Sequence, residues 1–288
     1  MSFAEHRVSV PDGLRIYARD YAPQGSLRGV PVVCLHGLTR NSADFEVVTE
    51  RIAGLGRRAV AIDARGRGKS DYDPDPKRYR PDIYVGDTLA VLNAIGVPRA
   101  VFLGTSMGGI MTMIAATIAR DRIAAAILND VGPELDPRGI ARIAGYVGKS
   151  GPFDSMDELI ESVKAGQGGR FPDQSDAFWL TWARRVSRQR ADGKFEFSYD
   201  PQIRQAFAAV PDAPPPPSMV PLFEALAAVP VLLVRGNLSD LLAPEGVATM
   251  QRIKPDLAYA EVPRVGHAPL LEEPEAWNAI AAFLSRVD

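Results

Sequence analysis

The sequence predicts an α/β protein in which a mostly parallel sheet, flanked by helices, is interrupted once by a helical insertion. Three observations predict it. Short apolar runs alternate with segments of helical period between residues 30 and 130. The alternation stops after Asp130 for roughly 85 residues. It then resumes at residue 229 and continues to the C-terminus.

Taken in order, HRVSV and LRIYARDY flank Pro11-Asp12-Gly13 and read as an antiparallel hairpin. VPVVCLH (30–36) is a buried strand, 43–54 a helix and AVAID (59–63) a strand. Residues 82–95 place Val85, Leu89 and Leu92 at i, i+4 and i+7, on one helix face. AVFLG (100–104) is a strand, 107–119 a helix and AAAILND (124–130) a strand. Residues 133–220 contain no apolar strand and offer helices at 136–149, 155–165 and 174–190. DAPPPPSMVP (212–221) is a stiff connector, because proline favours extended polyproline geometry. VPVLLVRG (229–236) is a strand, 244–253 a helix and LAYAEV (257–262) a strand. Residues 274–286 form a last helix, with Pro274 at its start and Trp277, Ile280 and Leu284 facing inward.

The 288 residues carry a formal net charge of −2, with acidic and basic residues interspersed, so nothing points to nucleic acid. Hydrophobic residues make up 46% and charged residues 24%, a balance that excludes a largely disordered chain. The single cysteine, Cys34, forms no internal disulfide and sits in an apolar run, where it reads as buried and inert. MSFAEHRVSV has no secretory pattern, and no apolar run approaches the ~18 residues of a membrane helix. A cytoplasmic location is the expectation.

Chemistry concentrates at Gly104-Thr105-Ser106-Met107-Gly108, a G-x-S-x-G sequence with a strand before it and a helix after it. So sharp a connection puts Ser106 in a strained backbone conformation and projects its side chain outward. Gly104 and Gly108 remove collisions with the neighbouring strand and helix, and Gly109 lets the helix approach the sheet. A serine hydroxyl needs a base. Of three histidines, His6 lies in the first hairpin, away from the C-terminal strand ends where functional groups gather in such sheets. His36 sits in a strand-end His-Gly and organises a loop. His267, between Gly266 and Pro269, is the expected base. The base needs a carboxylate to fix its tautomer. Asp240, in the loop RGNLSD after a strand, is preferred to its rival Asp130. The N–H groups of Met107 and of Leu38, the latter after His36-Gly37, are the expected oxyanion donors.

LHGLTRNSADF, DARGRGKSD, GTSMGG, RGNLSD and VGHAPLLEEP, in this order, resemble the α/β-hydrolase superfamily, and within it the cap-bearing esterases, enol-lactonases and C–C-bond hydrolases. The resemblance covers 1–132 and 222–288 as the hydrolase core, and implies a variable helical cap over 133–221. It implies the roles already given to Ser106, Asp240, His267, Leu38 and Met107. Serine at 106 disfavours the branches with an aspartate nucleophile. Leu38-Thr39-Arg40-Asn41 departs from the glycine-rich loop common in C–C hydrolases.

DARGRGKSD (63–71) lacks the spacing of a phosphate loop; Arg65 or Arg67 paired to local carboxylates is the expected role. Phe171, Phe178, Trp179 and Trp182 cluster in the insertion. They pack the cap on the core, and Phe178, Trp179 or Trp182 is a candidate for the substrate pocket. RRVSRQR (184–190) reads as a solvated helix face. These residues imply a serine hydrolase that cleaves a small-molecule carboxylic ester or lactone through an acyl-enzyme, with no cofactor and no metal. C–C cleavage of a ring-fission product is the alternative within enzymes; a slow or non-enzymatic ligand receptor is the alternative outside them. Oligomeric state is not legible.

Overall fold

A computed structural model describes residues 2–207 and 218–288. Its sheet is built from β1 (Ala4–Ser9), β2 (Arg15–Tyr21), β3 (Val32–Leu35), β4 (Ala59–Ile62), β5 (Ala100–Thr105), β6 (Ile123–Asn129), β9 (Val231–Gly236) and β10 (Ala258–Val262). The spatial order is β1-β2-β4-β3-β5-β6-β9-β10. β1 and β2 are antiparallel, β2 meets β4 antiparallel, and every later pairing is parallel. A mostly parallel sheet with an antiparallel edge is therefore what the alternation of strand and helix builds.

The strands are apolar on both faces because both faces are covered. In β3, Val33 and Leu35 belong to the apolar core that also holds residues of α2 (Pro81–Ala94), α3 (Met107–Ile118) and α8 (Pro244–Ile253). Val32 and Cys34 point the other way, toward α1 (Glu46–Gly54) and α9 (Pro274–Leu284). The Cys34 thiol is fully buried, and desolvation raises its pKa, so it is held as an inert thiol.

After Asn129 the chain leaves the sheet and returns at Val231, in a strand hydrogen-bonded to the one it left. The intervening stretch contains α4 (Pro137–Tyr146), α5 (Met156–Gln167), α6 (Asp176–Val186), the strands β7 (Ser187–Gln189) and β8 (Phe195–Phe197), and α7 (Val220–Glu224). Two expectations are corrected. The helix expected over 174–190 ends at Val186, and a small antiparallel β7–β8 hairpin follows where no strand was expected. Its strands are three residues each and half-exposed, so they carry no apolar run to be recognised. RRVSRQR is accordingly not one helix face: Arg185 pairs with Glu272, while Arg188 and Arg190 pair with Glu196 across the hairpin. Residues 212–217 of the proline-rich connector lie outside the described residues.

The loop after β4 is anchored by charge. Arg65 is fully buried and donates Nε and Nη2 to Asp87 at 2.7 and 2.6 Å and Nη1 to Asp73 at 2.5 Å, with Asp12 2.8 Å away. It joins α2, the β1–β2 turn and its own loop, as expected for one of the two arginines there; Arg67 has no carboxylate partner among the described residues. Removing a cation from buried carboxylates leaves them uncompensated. Arg65→Met is therefore expected to cost about 3–5 kcal/mol of stability, read as a lowered urea midpoint with an unchanged slope.

Candidate active site

Ser106 occupies the turn between β5 and α3 with φ 51° and ψ −112°, a left-handed conformation that a non-glycine residue keeps only where its neighbours impose it. The flanking glycines explain how. A Cβ on Gly104 would sit 2.3 Å from the Gly108 carbonyl carbon, and one on Gly108 would sit 2.0 Å from the Leu35 carbonyl oxygen. Both sites touch backbone, which cannot move aside. A Cβ on Gly109 would meet Val131 at 2.3 Å, so that glycine sets how closely α3 approaches the sheet. The Ser106 N–H donates to the Asn129 carbonyl at 3.0 Å, tying the turn to the end of β6.

Ser106 Oγ lies 2.9 Å from His267 Nε2, as the sequence predicts for nucleophile and base. The third member differs. His267 Nδ1 lies 2.8 Å from Asp130 Oδ2, whereas Asp240 makes no hydrogen bond to the imidazole. Asp240 is instead held by the Arg142 guanidinium through two hydrogen bonds, with Arg170 4.0 Å away. Burial opposes ionisation of Asp240, but the Arg142 contact outweighs it and keeps the carboxyl below its usual range.

The reason is the position of each aspartate along its strand. Asp130 directly follows β6, with φ 56°, and its carboxylate crosses to the end of β9. There Oδ1 accepts the Gly236 N–H at 3.0 Å and Oδ2 accepts the Ser239 hydroxyl at 2.6 Å. It is completely buried, and with His267 it has three donors. Asp240 lies four residues past the end of β9, far enough for the loop to turn it toward α4. Both aspartates fall between Ser106 and His267 in the chain, so order along the sequence does not separate them.

Asn129 escaped the sequence reading. Fully buried, it accepts Ser106 N–H through its carbonyl and donates Nδ2 to Thr105 Oγ1 at 3.0 Å and to the Pro269 carbonyl at 2.8 Å. It thus couples the serine turn to the histidine loop. The signal was present: two adjacent polar residues, Asn129-Asp130, end an otherwise apolar buried strand.

Leu38, in the loop after β3, and Met107, the first residue of α3, flank the serine. Among the described residues neither N–H has an acceptor in the protein; for Met107 this follows from its place at the first position of α3. His36 organises this region. Its Nε2 accepts the Ala64 N–H at 3.0 Å, so Nδ1 carries the proton and donates to the Gly37 carbonyl at 2.7 Å. Asp63 Oδ1 accepts Ser42 N–H at 2.6 Å, and Asn41 donates Nδ2 to the Arg185 carbonyl at 2.7 Å. The loop is held from the core and from α6.

Beside the serine lies a cavity of about 130 Å³. The sheet side supplies Gly37, Leu38, Thr39, Arg40, Phe45 and the 267–270 loop; the intervening segment supplies Ile143 and Tyr146 from α4, Ser162 and Val163 from α5, Trp182 from α6, Phe197 from β8 and Tyr199. Of the three aromatic pocket candidates only Trp182 faces this cavity. Trp179 is packed edge-on against Phe171 and Phe178 in the core, and Phe178 lines a separate outer depression. The i, i+3 spacing of Trp179 and Trp182 puts both on the buried side of α6, and only packing decides which one the cavity meets. Arg40 stacks on Trp182, 3.8 Å from the ring centroid, and is neutralised by Asp44. Among the described residues no group of three or more His, Cys, Asp or Glu side chains is placed to hold a metal ion, and no helix is long and apolar enough to cross a membrane.

Burial lowers the pKa of His36 below its ordinary 6.5 and keeps the ring neutral. The unfolded chain protonates this residue as pH falls through 6.5 while the folded one does not, so the His36 contribution is complete above that pH and is lost below it. His36→Gln should therefore flatten the decline of unfolding free energy between pH 6.5 and 5 by up to about 1.4 kcal/mol per pH unit, measured by urea titration at each pH.

Comparison with known proteins agrees with this architecture. Residues 32–280 match the model of the alpha/beta hydrolase family. The chain is 34% identical over 252 residues to 3-hydroxybutyrate-oligomer hydrolase of Cupriavidus necator, covering 84% of each protein. It is 27% identical over 258 residues to 2-(acetamidomethylene)succinate hydrolase of Mesorhizobium japonicum, covering 89% of this chain and 88% of the relative. It also superposes on the solved structure of an alpha/beta hydrolase from Novosphingobium aromaticivorans with a TM-score of 0.91 and 41% identity, over the full length of both. The chain is a hydrolase belonging to the alpha/beta hydrolase family.

Proposed function

We propose that this protein is a serine hydrolase that cleaves carboxylic esters through an acyl-enzyme, with short aliphatic hydroxyacid esters as its substrates. The observation that carries the reading is the unbroken series Asp130–His267–Ser106, with contacts of 2.8 and 2.9 Å. Asp130 accepts from Nδ1 and leaves Nε2 unprotonated toward the serine. Ser106 Oγ attacks the ester carbonyl carbon and its proton passes to His267 Nε2. The carbonyl electron pair moves to oxygen, where Leu38 and Met107 N–H groups receive it. His267 then protonates the leaving alkoxide, and the ester C–O bond breaks. A water, deprotonated by the same imidazole, releases the acid from Ser106.

Three things support the substrate class. The relative at 34% identity carries the name 3-hydroxybutyrate-oligomer hydrolase and matches over most of both chains. The cavity is small, about 130 Å³, which suits a short acyl chain rather than a long one. Its walls combine apolar side chains with the Ser162 and Thr39 hydroxyls, fitting a chain that alternates methyl groups with ester oxygens. Residues 133–221 are read as a cap over the site, since half of the cavity wall comes from them.

Wild-type protein should hydrolyse p-nitrophenyl butyrate and the linear dimer and trimer of 3-hydroxybutyrate. Ser106→Ala should abolish both activities while the melting temperature stays within a few degrees; turnover by that variant sinks the nucleophile. The two aspartates are separable by the same assay. Asp130→Asn is expected to lower kcat by about 10⁴. Asp240→Asn, which removes a charge held by Arg142, should keep kcat within about tenfold of wild type, a barrier change of about 1.4 kcal/mol. The reverse ranking would return the acid role to Asp240.

A further inference from the structure

Arg65 and Arg67 stand two residues apart on the loop after β4, and both are removed from solvent. Arg65 meets three carboxylates. Arg67 meets none among the described residues. Its Nε donates to the Leu38 carbonyl at 3.0 Å, its Nη1 to the Arg65 carbonyl at 2.8 Å, and its Nη2 approaches Met107 Sδ at 3.7 Å. The guanidinium lies over the rings of Tyr84 and Tyr79, at 4.7 and 5.6 Å from their centroids. Carbonyls and ring faces offset only part of the cost of a buried cation, and among the described residues no carboxylate contacts it.

Two of the groups that Arg67 touches, the Leu38 carbonyl and Met107 Sδ, belong to the residues whose N–H groups are assigned to the oxyanion. We propose that Arg67 is a positioning residue for the oxyanion site. It holds the Leu38 carbonyl and the Met107 side chain, and its charge, which no carboxylate among the described residues contacts, is matched by the negative oxygen that forms only during the reaction. The inference rests on the serine-hydrolase reading. When Ser106 Oγ bonds to the carbonyl carbon, the C=O pair moves onto oxygen and the serine proton moves to His267. The imidazolium so formed has Asp130 as its counter-charge. The new oxyanion has no such partner in the triad, and Arg67 contacts the carbonyl of one donor residue and the thioether of the other. A cation placed there stabilises the charge-separated state more than the neutral ester.

Arg67 is also kept from turning away. Its backbone forms an antiparallel bridge with Tyr199, Gly68 N–H donates to the Ser198 carbonyl at 2.7 Å, and Asp200 N–H donates to the Gly66 carbonyl at 2.8 Å. Tyr199 itself lines the cavity. The loop is clamped between the sheet and the segment that closes over the serine.

The test compares Arg67→Met and Arg67→Lys with wild type, using p-nitrophenyl butyrate and an alkyl trifluoromethyl ketone, whose adduct with Ser106 carries an oxyanion. Arg67→Met should lower kcat by about 10–100-fold, weaken ketone inhibition by the same factor, and leave KM within about threefold. Arg67→Lys, which keeps the charge, should lose less on both measures. A Met variant matching wild type in kcat and ketone affinity overturns the proposal. So does a Lys variant as impaired as the Met variant, because charge would then be immaterial. If Arg67→Met does not fold, Arg67→Lys decides alone: a loss shared equally between KM and kcat, with ketone affinity unchanged, marks a merely structural residue. A wild type indifferent to both ester and ketone overturns the hydrolase reading and this proposal with it.

Discussion

The carboxyl end of β6 is the point on which the site depends. Parallel pairing places Thr105 opposite Asn129 and Asn129 opposite Val234, so three strand ends share one edge. Asn129 holds the serine turn through its carbonyl and the histidine loop through its amide. Asp130, the next residue, bridges to β9 and to His267. Two consecutive polar residues thus orient three segments that are far apart in the chain. The strained turn at Ser106 persists because these bonds and the glycines around it leave no other conformation.

Buried charge is handled in two ways in the loop after β4. Arg65 is neutralised by Asp12, Asp73 and Asp87 and serves as an anchor. Arg67 is left with carbonyls, a thioether and ring faces. A protein interior tolerates the first arrangement when every donor is satisfied, and retains the second only where the rest of the structure enforces it. The bridge from Arg67 to Tyr199 does so, and it links the sheet loop to the segment that forms the far wall of the cavity.

That segment supplies about half of the residues lining the cavity beside the serine. α4, α5, α6 and β8 each contribute side chains to the cavity, while their other faces pack in the two cores. Trp182 shows how the two tasks are divided within one helix. It meets both the aromatic cluster and the cavity, with Arg40 of the sheet loop stacked on its ring. Trp179, one turn earlier, is wholly committed to packing.

The sequence by itself determined the alternation of strands and helices, the turn at Ser106 and the contact of that serine with His267. The strands and the turn are local properties: an apolar run makes a buried strand, and glycines at 104 and 108 permit one sharp turn; His267 is reached by elimination, because only three histidines exist. Only the tertiary structure shows which aspartate meets His267, Asp130 rather than Asp240. The chain order Ser, Asp, His holds for either one, and both follow strands. What separates them is the register of β6 against β9 and the arginine on α4 that captures Asp240, and these are contacts between segments some hundred positions apart. The same holds for Arg67 and Trp182. A side chain's partner across the fold depends on where whole elements settle, and no pattern in the neighbouring residues encodes it.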